Sequence, residues 1–505
     1  MIMENIIKSR TSRYAIIIAC ILISILITRK YMPYDSDIVN SQIFWPDFLR
    51  SGMSVFKDWI PTVDSWYLTV YPVHFLFYYL FDSTDVSVVI VATALFLIAI
   101  ALSSYGISRI ATGNEISSLS ILIALLCPAF SYTYGFLVHP FSHNSTNAFG
   151  MFCVLLSLLA IKNNKVYFSI ISGFLSVLAG VSDPWFYASY LLPLIIGTAF
   201  ISYKDKRNVK HLIVYLISFI AAYSGIIQSF LGIPIHKFSL VPLTVMLENG
   251  VQMVFLTGRM LNVLIIQHDL AYAISFCLFF VLTCISIYNL YRSGGVNTYL
   301  SLVLFFSLAG IISSFILSYP DVSILSARFF VNIQYIAILL ALISAIRLKS
   351  IVYSTIIALY CVSSIYSYAA TPNGLHQKQD ETVDFVRFLH KNNLSFGYGS
   401  FWRLTHTVTW FSNGKIHVTP VYFSEKDGSI DLKRARAQTM RSWLSKSYID
   451  NSPDRQFIAI SPSIGGKCRN NLDFCVNGTI NKIGKPDETL HYGDVTLLVY
   501  NKRIM

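Results

Sequence analysis

Long unbroken apolar runs, rather than the two-residue alternation of half-buried strands, dominate the first 370 residues of this chain. At 1.5 Å per residue, runs long enough to cross about 30 Å of hydrocarbon occur at 14–30, 86–104, 117–134, 145–161, 166–181, 186–202, 211–230, 269–291, 298–318, 327–345 and 349–367. They predict about eleven membrane helices. One more apolar stretch, Trp66 to Phe81, carries Pro72 and His74 and is crowded with tyrosine and tryptophan. That composition suits a segment lying along the membrane interface.

Charge supports the same count. Lys8, Arg10 and Arg13 put the N-terminus in the cytoplasm, and Lys162 and Lys165, the cluster Lys204, Lys206, Arg207 and Lys210, then Arg292, then Arg347 and Lys349 mark later cytoplasmic loops. These assignments agree only if Trp66 to Phe81 does not cross. The C-terminus then lies on the far side of the membrane. So do residues 31–85, the loop His139 to His143, the turn Ser182 to Trp185, residues 231–268 and Tyr319 to Asp321.

After Thr371 the pattern changes. Asp380 to Leu394 reads as an amphipathic helix, Ile416 to Phe423, Phe457 to Ser461 and Val495 to Tyr500 read as strands, and Asn413-Gly414 reads as a hairpin turn. The expected organisation is a transmembrane domain over 1–370, with a long first outer loop at 31–85, and an exported α/β domain over 371–505. Of the eight cysteines, six sit in or beside apolar runs, whereas Cys468 and Cys475 lie in this polar region and are candidates for a short disulfide loop.

Composition excludes several classes. With 54% hydrophobic and 13% charged residues and a mean hydropathy of +0.58, the chain is too apolar for a soluble enzyme of its size. The net charge of +12 is largely explained by orienting loops, so nucleic acid is not an expected partner. The apolar run at 14–30 ends in Arg29 and Lys30 without a small-residue cleavage site and reads as a retained anchor. No phosphate-cradling loop, dinucleotide fingerprint or cysteine-histidine metal framework is present.

Candidate chemistry starts at the acidic cluster Asp35-Ser36-Asp37, just past the first span. If a helix begins at Ile38, Asp37 stands where a carboxylate caps free backbone amides. The alternative role is a general base that takes the proton of an acceptor hydroxyl. Other candidates lie in loops assigned to the same side. Arg328, between Ser326 and Phe329-Phe330, suits a phosphate, with Lys237, His236 and Arg259 as alternatives. Asp183, in Ser182-Asp-Pro-Trp185, is an ordinary turn residue or a contact for acceptor hydroxyls, and Trp185 could stack on a sugar ring. His139 and His143 share a loop in which Pro140 disfavours the regular helix that a zinc pair would use. Tyr398, Phe401, Trp402 and Trp410 either hold glycan or form the core of the C-terminal domain.

The stretch from Asp35-Ser-Asp37 through Gln42 and Pro46 to Gly52, followed by Trp59 and Tyr71-Pro72, resembles the first-loop pattern of GT-C class polyprenyl-phosphate-sugar glycosyltransferases. In size and loop layout the chain is similar to the phage-encoded serotype-converting glucosyltransferases that decorate O-antigen. The resemblance implies a polytopic α-helical membrane protein, GT-C-like with about 11 transmembrane helices, carrying a C-terminal periplasmic α/β domain. It implies a polyprenyl-phosphate sugar donor, a lipid-linked or surface glycan acceptor, and inverting transfer outside the cytoplasm in a bacterial inner membrane. The base maps onto Asp37 or Asp35. Arg328 or Lys237 would meet the donor phosphate, and Asp183, Trp185 and His139 would meet the acceptor. No cofactor is required by this pattern, and a divalent metal at Asp183 stays open. An O-antigen polymerase would lean on arginine-rich outer loops, and a flippase on charged sites at the bilayer midplane with internal repeats; neither pattern is visible.

Overall fold

The computed structural model describes residues 10–114, 125–235, 238–370 and 374–504. The chain divides into two compact units: residues 1–32, 63–228 and 235–372 form the first, and residues 33–62, 229–234 and 373–505 the second. Residues 33–62 of the first loop thus belong with the C-terminal region.

The first unit is helical. Eight of its helices are long and apolar enough to cross a membrane, among the described residues: Tyr14–Tyr31, Val86–Thr112, His143–Asn163, Lys206–Leu231, Asp269–Arg292, Gly295–Ser318, Ile324–Leu348 and Ile351–Ala370. Two further expected spans are present in shorter form. Val166–Ser182 has 17 residues, and the run at 186–202 is a π-turn, Tyr187–Leu191, that continues as Leu192–Lys204. Pro193 is accommodated near the start of that last helix, where its missing N–H costs least. The expected span 117–134 lies mostly outside the described residues; after it Ala129–Thr133 forms a short helix.

The aromatic stretch forms Val70–Phe81, a helix of 12 residues. At 1.5 Å per residue it reaches about 18 Å, short of the roughly 30 Å of hydrocarbon. Trp66 enters it with φ of 59°, and the Leu68 N–H donates to Ser182 Oγ at 3.0 Å. This fixes the segment beside the turn that carries Asp183.

Small residues let these helices approach closely. A Cβ on Gly310 would lie 2.2 Å from the Ala188 carbonyl oxygen, and one on Gly258 would lie 2.0 Å from that of Tyr272.

The second unit is built on a five-stranded sheet of order β2-β1-β5-β7-β6. Its strands are β1 (Phe396–Gly399), β2 (His417–Pro420), β5 (Gln456–Ile460), β6 (Glu488–Tyr492) and β7 (Val495–Tyr500). A separate pair joins β3 (Tyr422–Phe423) to β4 (Ile430–Asp431). The strands β2, β1 and β5 run parallel, whereas β7 is antiparallel to both β5 and β6. β1, β5 and β7 are buried along their whole length, which requires cover on both faces. Phe385, Leu389, Leu404 and Val408 cover one face. Cys468, Cys475 and Ile430 pack on the other.

Cys468 and Cys475 are joined as a disulfide, with Cα atoms 5.6 Å apart. The expected amphipathic helix is present as Gly374–Lys391. Asn413-Gly414 corrects the sequence reading. Both residues have positive φ, 52° and 74°, as a hairpin turn would need, but they end the helix His406–Phe411. The Gly414 N–H donates to the Thr409 carbonyl at 2.8 Å, closing the helix end. Left-handed residues serve both structures, so the dipeptide alone does not tell them apart.

Candidate functional site

The acidic loop lies wholly in the second unit. The Asp35 carboxylate accepts the backbone N–H groups of Asp37 and Ile38, both at 3.1 Å. Asp35 thus caps this turn, and the regular helix starts later than expected, at Asn40, with no side-chain cap at Val39. Ser36, fully buried, donates to the Phe401 carbonyl and fastens the loop to the C-terminal region. The helix Asn40–Ser51 buries Asn40 to Phe44, and the Phe44 ring packs edge-on against Trp59 at 5.4 Å.

Further along, the attachment is repeated by backbone pairing. The Ile60 N–H donates to the Thr439 carbonyl at 2.9 Å, and the Gln438 N–H returns to Ile60 at 2.6 Å. Asp58 accepts the Ser442 N–H at 2.9 Å and its hydroxyl as well. His406, buried beneath Trp59, meets the Gln438 carbonyl at 2.6 Å. Burial pushes this imidazole down to about 3, so it is neutral and donates through Nε2.

Arg436, in the segment held by this stitching, feels the charge of Asp37. Burial lowers the guanidinium from its ordinary value, while Tyr422 and Asp37 act in the opposite sense. Its Cζ lies 3.7 Å from the Phe401 ring centre and 5.6 Å from that of Trp402. Arg436 was not singled out from the sequence. Almost four hundred residues separate it from Asp37, and no spacing rule links them. Asp35 and Tyr34 also line a cavity of about 490 Å³ with Glu381, Trp402, Arg403 and Tyr492.

A second polar cluster lies in the first unit, at the end of Val166–Ser182. The Asp183 carboxylate meets His143 Nδ1 at 2.7 Å, accepts the Thr146 hydroxyl, and accepts the Trp185 N–H at 3.0 Å. Burial alone would raise this carboxyl, but the charge and hydrogen bond of His143, with those of Thr146 and Trp185, hold it below its ordinary value. The Phe329 ring packs tilted against His143, with ring centres 4.5 Å apart, and its carbonyl accepts the Trp185 indole N–H at 3.3 Å. Asp183, rather than standing alone in its turn, is thus a fully partnered group.

Of the expected site residues, Trp185 and Arg328 share one small pocket with His143, Thr146 and Asn332. Arg328 is exposed, with its Cζ 5.2 Å from the Phe329 ring centre. His139 is not among that lining; its ring accepts the Phe141 N–H at 3.1 Å inside its own turn. Its loop partner His143 takes the place beside Asp183. Arg259 stacks over Phe130 at 5.0 Å. Lys237 and His236 lie outside the described residues. Among the described residues, no group of three or more His, Cys, Asp or Glu converges to hold a metal.

No family model matches the sequence, and no curated protein matches it. Solved structures do resemble the fold. ArnT from Cupriavidus metallidurans bound to undecaprenyl phosphate superposes with a TM-score of 0.54 at 9% identity, covering 97% of this chain and 98% of that one. The Archaeoglobus fulgidus oligosaccharyltransferase in complex with Zn and sulfate gives 0.52 at 10% identity, covering 96% of this chain and 73% of the other. At such identity the likeness is one of fold. The chain is a multi-pass helical membrane protein of the GT-C fold with a small C-terminal sheet domain.

Proposed function

We propose that this protein is an inverting membrane glycosyltransferase. It moves a hexose, glucose by resemblance to the serotype-converting enzymes, from undecaprenyl phosphate to O-antigen or a related cell-surface glycan. The reaction takes place on the periplasmic face of a bacterial inner membrane. Support for the donor class comes from the fold shared with ArnT, which was solved bound to undecaprenyl phosphate. Support for the side comes from the Cys468–Cys475 disulfide, a bond favoured in oxidising compartments.

The observation that carries the reading is the division of labour in the acidic loop. Asp35 holds the turn through two backbone amides, and Asp37, half-buried two residues on, is assigned as the base. The acceptor hydroxyl gives its proton to Asp37, its oxygen bonds to the anomeric carbon, and the bond from that carbon to the lipid phosphate breaks. The leaving phosphate carries the electron pair, and Arg328 is assigned as its cationic contact, with Lys237 as the alternative. Asp183, His143 and Trp185 are assigned to acceptor binding through their shared cluster.

The test uses the purified full-length protein in lipid vesicles with polyprenyl-phosphate glucose and surface polysaccharide. Asp37→Asn should abolish transfer while the protein still inserts and melts as the parent does. Full transfer by that variant would overturn the assignment of Asp37. Full transfer by the Asp35, Asp37 double Asn variant would overturn the mechanism.

A further inference from the structure

The cavity beside Asp35 has the chemistry of a sugar site. Its volume of about 490 Å³ falls in the roughly 300–1,000 Å³ range of small-ligand pockets. Trp402 sets it apart. Tyr398, Phe401 and Trp410 are buried in the second unit, as core aromatics should be, whereas Trp402 is 51% exposed and lines the cavity. Its ring is braced from within the unit by Phe401, edge-on at 5.2 Å, and by the Arg436 guanidinium. An exposed, braced indole offers a flat apolar plate with a negative face. The C–H bonds on one side of a pyranose ring carry the matching partial positive charge.

The polar lining points to the same ligand class. Arg403 is held by both oxygens of Asp494, at 2.8 and 2.9 Å, and lies 3.7 Å from Glu381. The guanidinium is therefore oriented before a ligand arrives. Glu381 and Asp35 add carboxylate oxygens to the lining, acceptors suited to sugar hydroxyls. Two carboxylates against one guanidinium leave the lining net negative, which disfavours a phosphate or another anion. A neutral polyhydroxylated ring meets every one of these groups.

We infer that this cavity binds the sugar residues of the acceptor glycan, next to the loop that carries Asp37. The inference rests on the glycosyltransferase reading for the role of the glycan, and on the cavity alone for its chemistry. Trp402 is the stacking platform, Glu381 and Asp35 accept hydroxyls, and Arg403 donates to ring or hydroxyl oxygens. Because Asp35 also accepts the Asp37 N–H, the groups that hold the acceptor are continuous with the loop that positions the base.

Two measurements on the full-length protein in nanodiscs test this. The first is binding to an array of bacterial surface-polysaccharide fragments two to six sugars long. Trp402→Ala should weaken the fragments bound by the parent about tenfold or more, and Trp402→Phe should restore most of the affinity. The second is transfer kinetics, in which Trp402→Ala and Glu381→Gln should raise the acceptor KM about tenfold with a much smaller change in kcat. If Asp37→Asn abolishes transfer but neither cavity variant moves the acceptor KM, the acceptor site is elsewhere and the enzyme reading stands. If the parent transfers no sugar yet binds fragments in a Trp402-dependent way, the enzyme reading fails and the glycan site stands. No fragment binding by the parent, or binding unaltered in Trp402→Ala, overturns the inference.

Discussion

Asp35 and Asp37 are joined by a hydrogen bond in which the Asp37 backbone N–H donates to the Asp35 carboxylate at 3.1 Å. A second bond from the Ile38 N–H to the same oxygen completes the turn. This relationship separates two carboxylates that look interchangeable in sequence. Asp35→Ala should lower stability by about 1 kcal/mol, the usual effect of removing a cap, and reduce transfer only in part. Asp37→Asn should leave the melting temperature unchanged and lower transfer about a hundredfold or more, the range for losing a general base. Thermal unfolding and sugar transfer, measured on the same preparations, check both. Equal loss of transfer in the two variants with no loss of stability in either would contradict the division.

Asp183 gives a pH-dependent prediction. Its carboxyl is held below the ordinary value in the folded protein, against the burial that would raise it. A lowered folded value means the folded state binds fewer protons than the unfolded one. The contribution to stability is thus fully present above the unfolded carboxylate value, about 3.9, and is lost as pH falls through the lower folded value. Asp183→Asn should therefore be less stable than the parent near neutral pH, and the gap should narrow in acid. Melting temperatures of both proteins across the acid range check this. A gap that widens towards low pH would contradict the assignment.

The first unit was legible in the sequence because a lipid environment makes its code simple: continuous apolar length between basic loops. Eight of the expected spans appear as long helices. Within Trp66 to Phe81, read as interfacial, the helix has only 12 residues. In the C-terminal region the buried strands β5 and β7 were visible as dense apolar runs, whereas β1, Phe396–Gly399, has two glycines in four residues, and β6 is an exposed edge. Neither carries a strand pattern. The site was legible only in its local part. Asp35, Asp37, Asp183 and Trp185 stood out by position, but the charge of Arg436 felt at Asp37 and the place of His143 beside Asp183 come from tertiary pairing. The Asp58–Ser442 and Ile60–Thr439 contacts that place Arg436 join segments almost four hundred residues apart.

That pairing can be tested through Asp58. Its carboxylate accepts both the backbone N–H and the hydroxyl of Ser442, and Arg441 adds a bond to the Lys57 carbonyl at 2.6 Å. Asp58→Ala should destabilise the protein by about 1–2 kcal/mol, because a half-buried N–H loses its partner. It should also lower transfer, since the first-loop segment that follows the acidic turn is loosened from residues 438–442. Ser442→Ala removes only the hydroxyl and should cost less. Protection of the Ser442 amide from hydrogen exchange distinguishes the two: it should fall in Asp58→Ala and persist in Ser442→Ala.

Two glycines in the membrane unit should respond to the same substitution with opposite signs. In Gly295–Ser318, a Cβ on Gly310 would sit 2.2 Å from the Ala188 carbonyl oxygen, a backbone atom in the π-turn Tyr187–Leu191. The oxygen cannot rotate away as a side chain would, so Gly310→Ala must part the two segments. Overpacking of this kind costs about 1–3 kcal/mol. Gly250, within Leu243–Met260, meets nothing within 4 Å of its ideal Cβ. There the alanine gains only the helix preference over glycine, about 0.5–1 kcal/mol. Gly310→Ala should therefore lower the unfolding temperature in nanodiscs, and Gly250→Ala should raise it slightly. The π-turn also feeds Tyr190, which bonds to Asn147 one turn beyond the His143 cluster. Displacing the turn should loosen that cluster and weaken the pH dependence assigned to Asp183, an effect that Gly250→Ala should not reproduce.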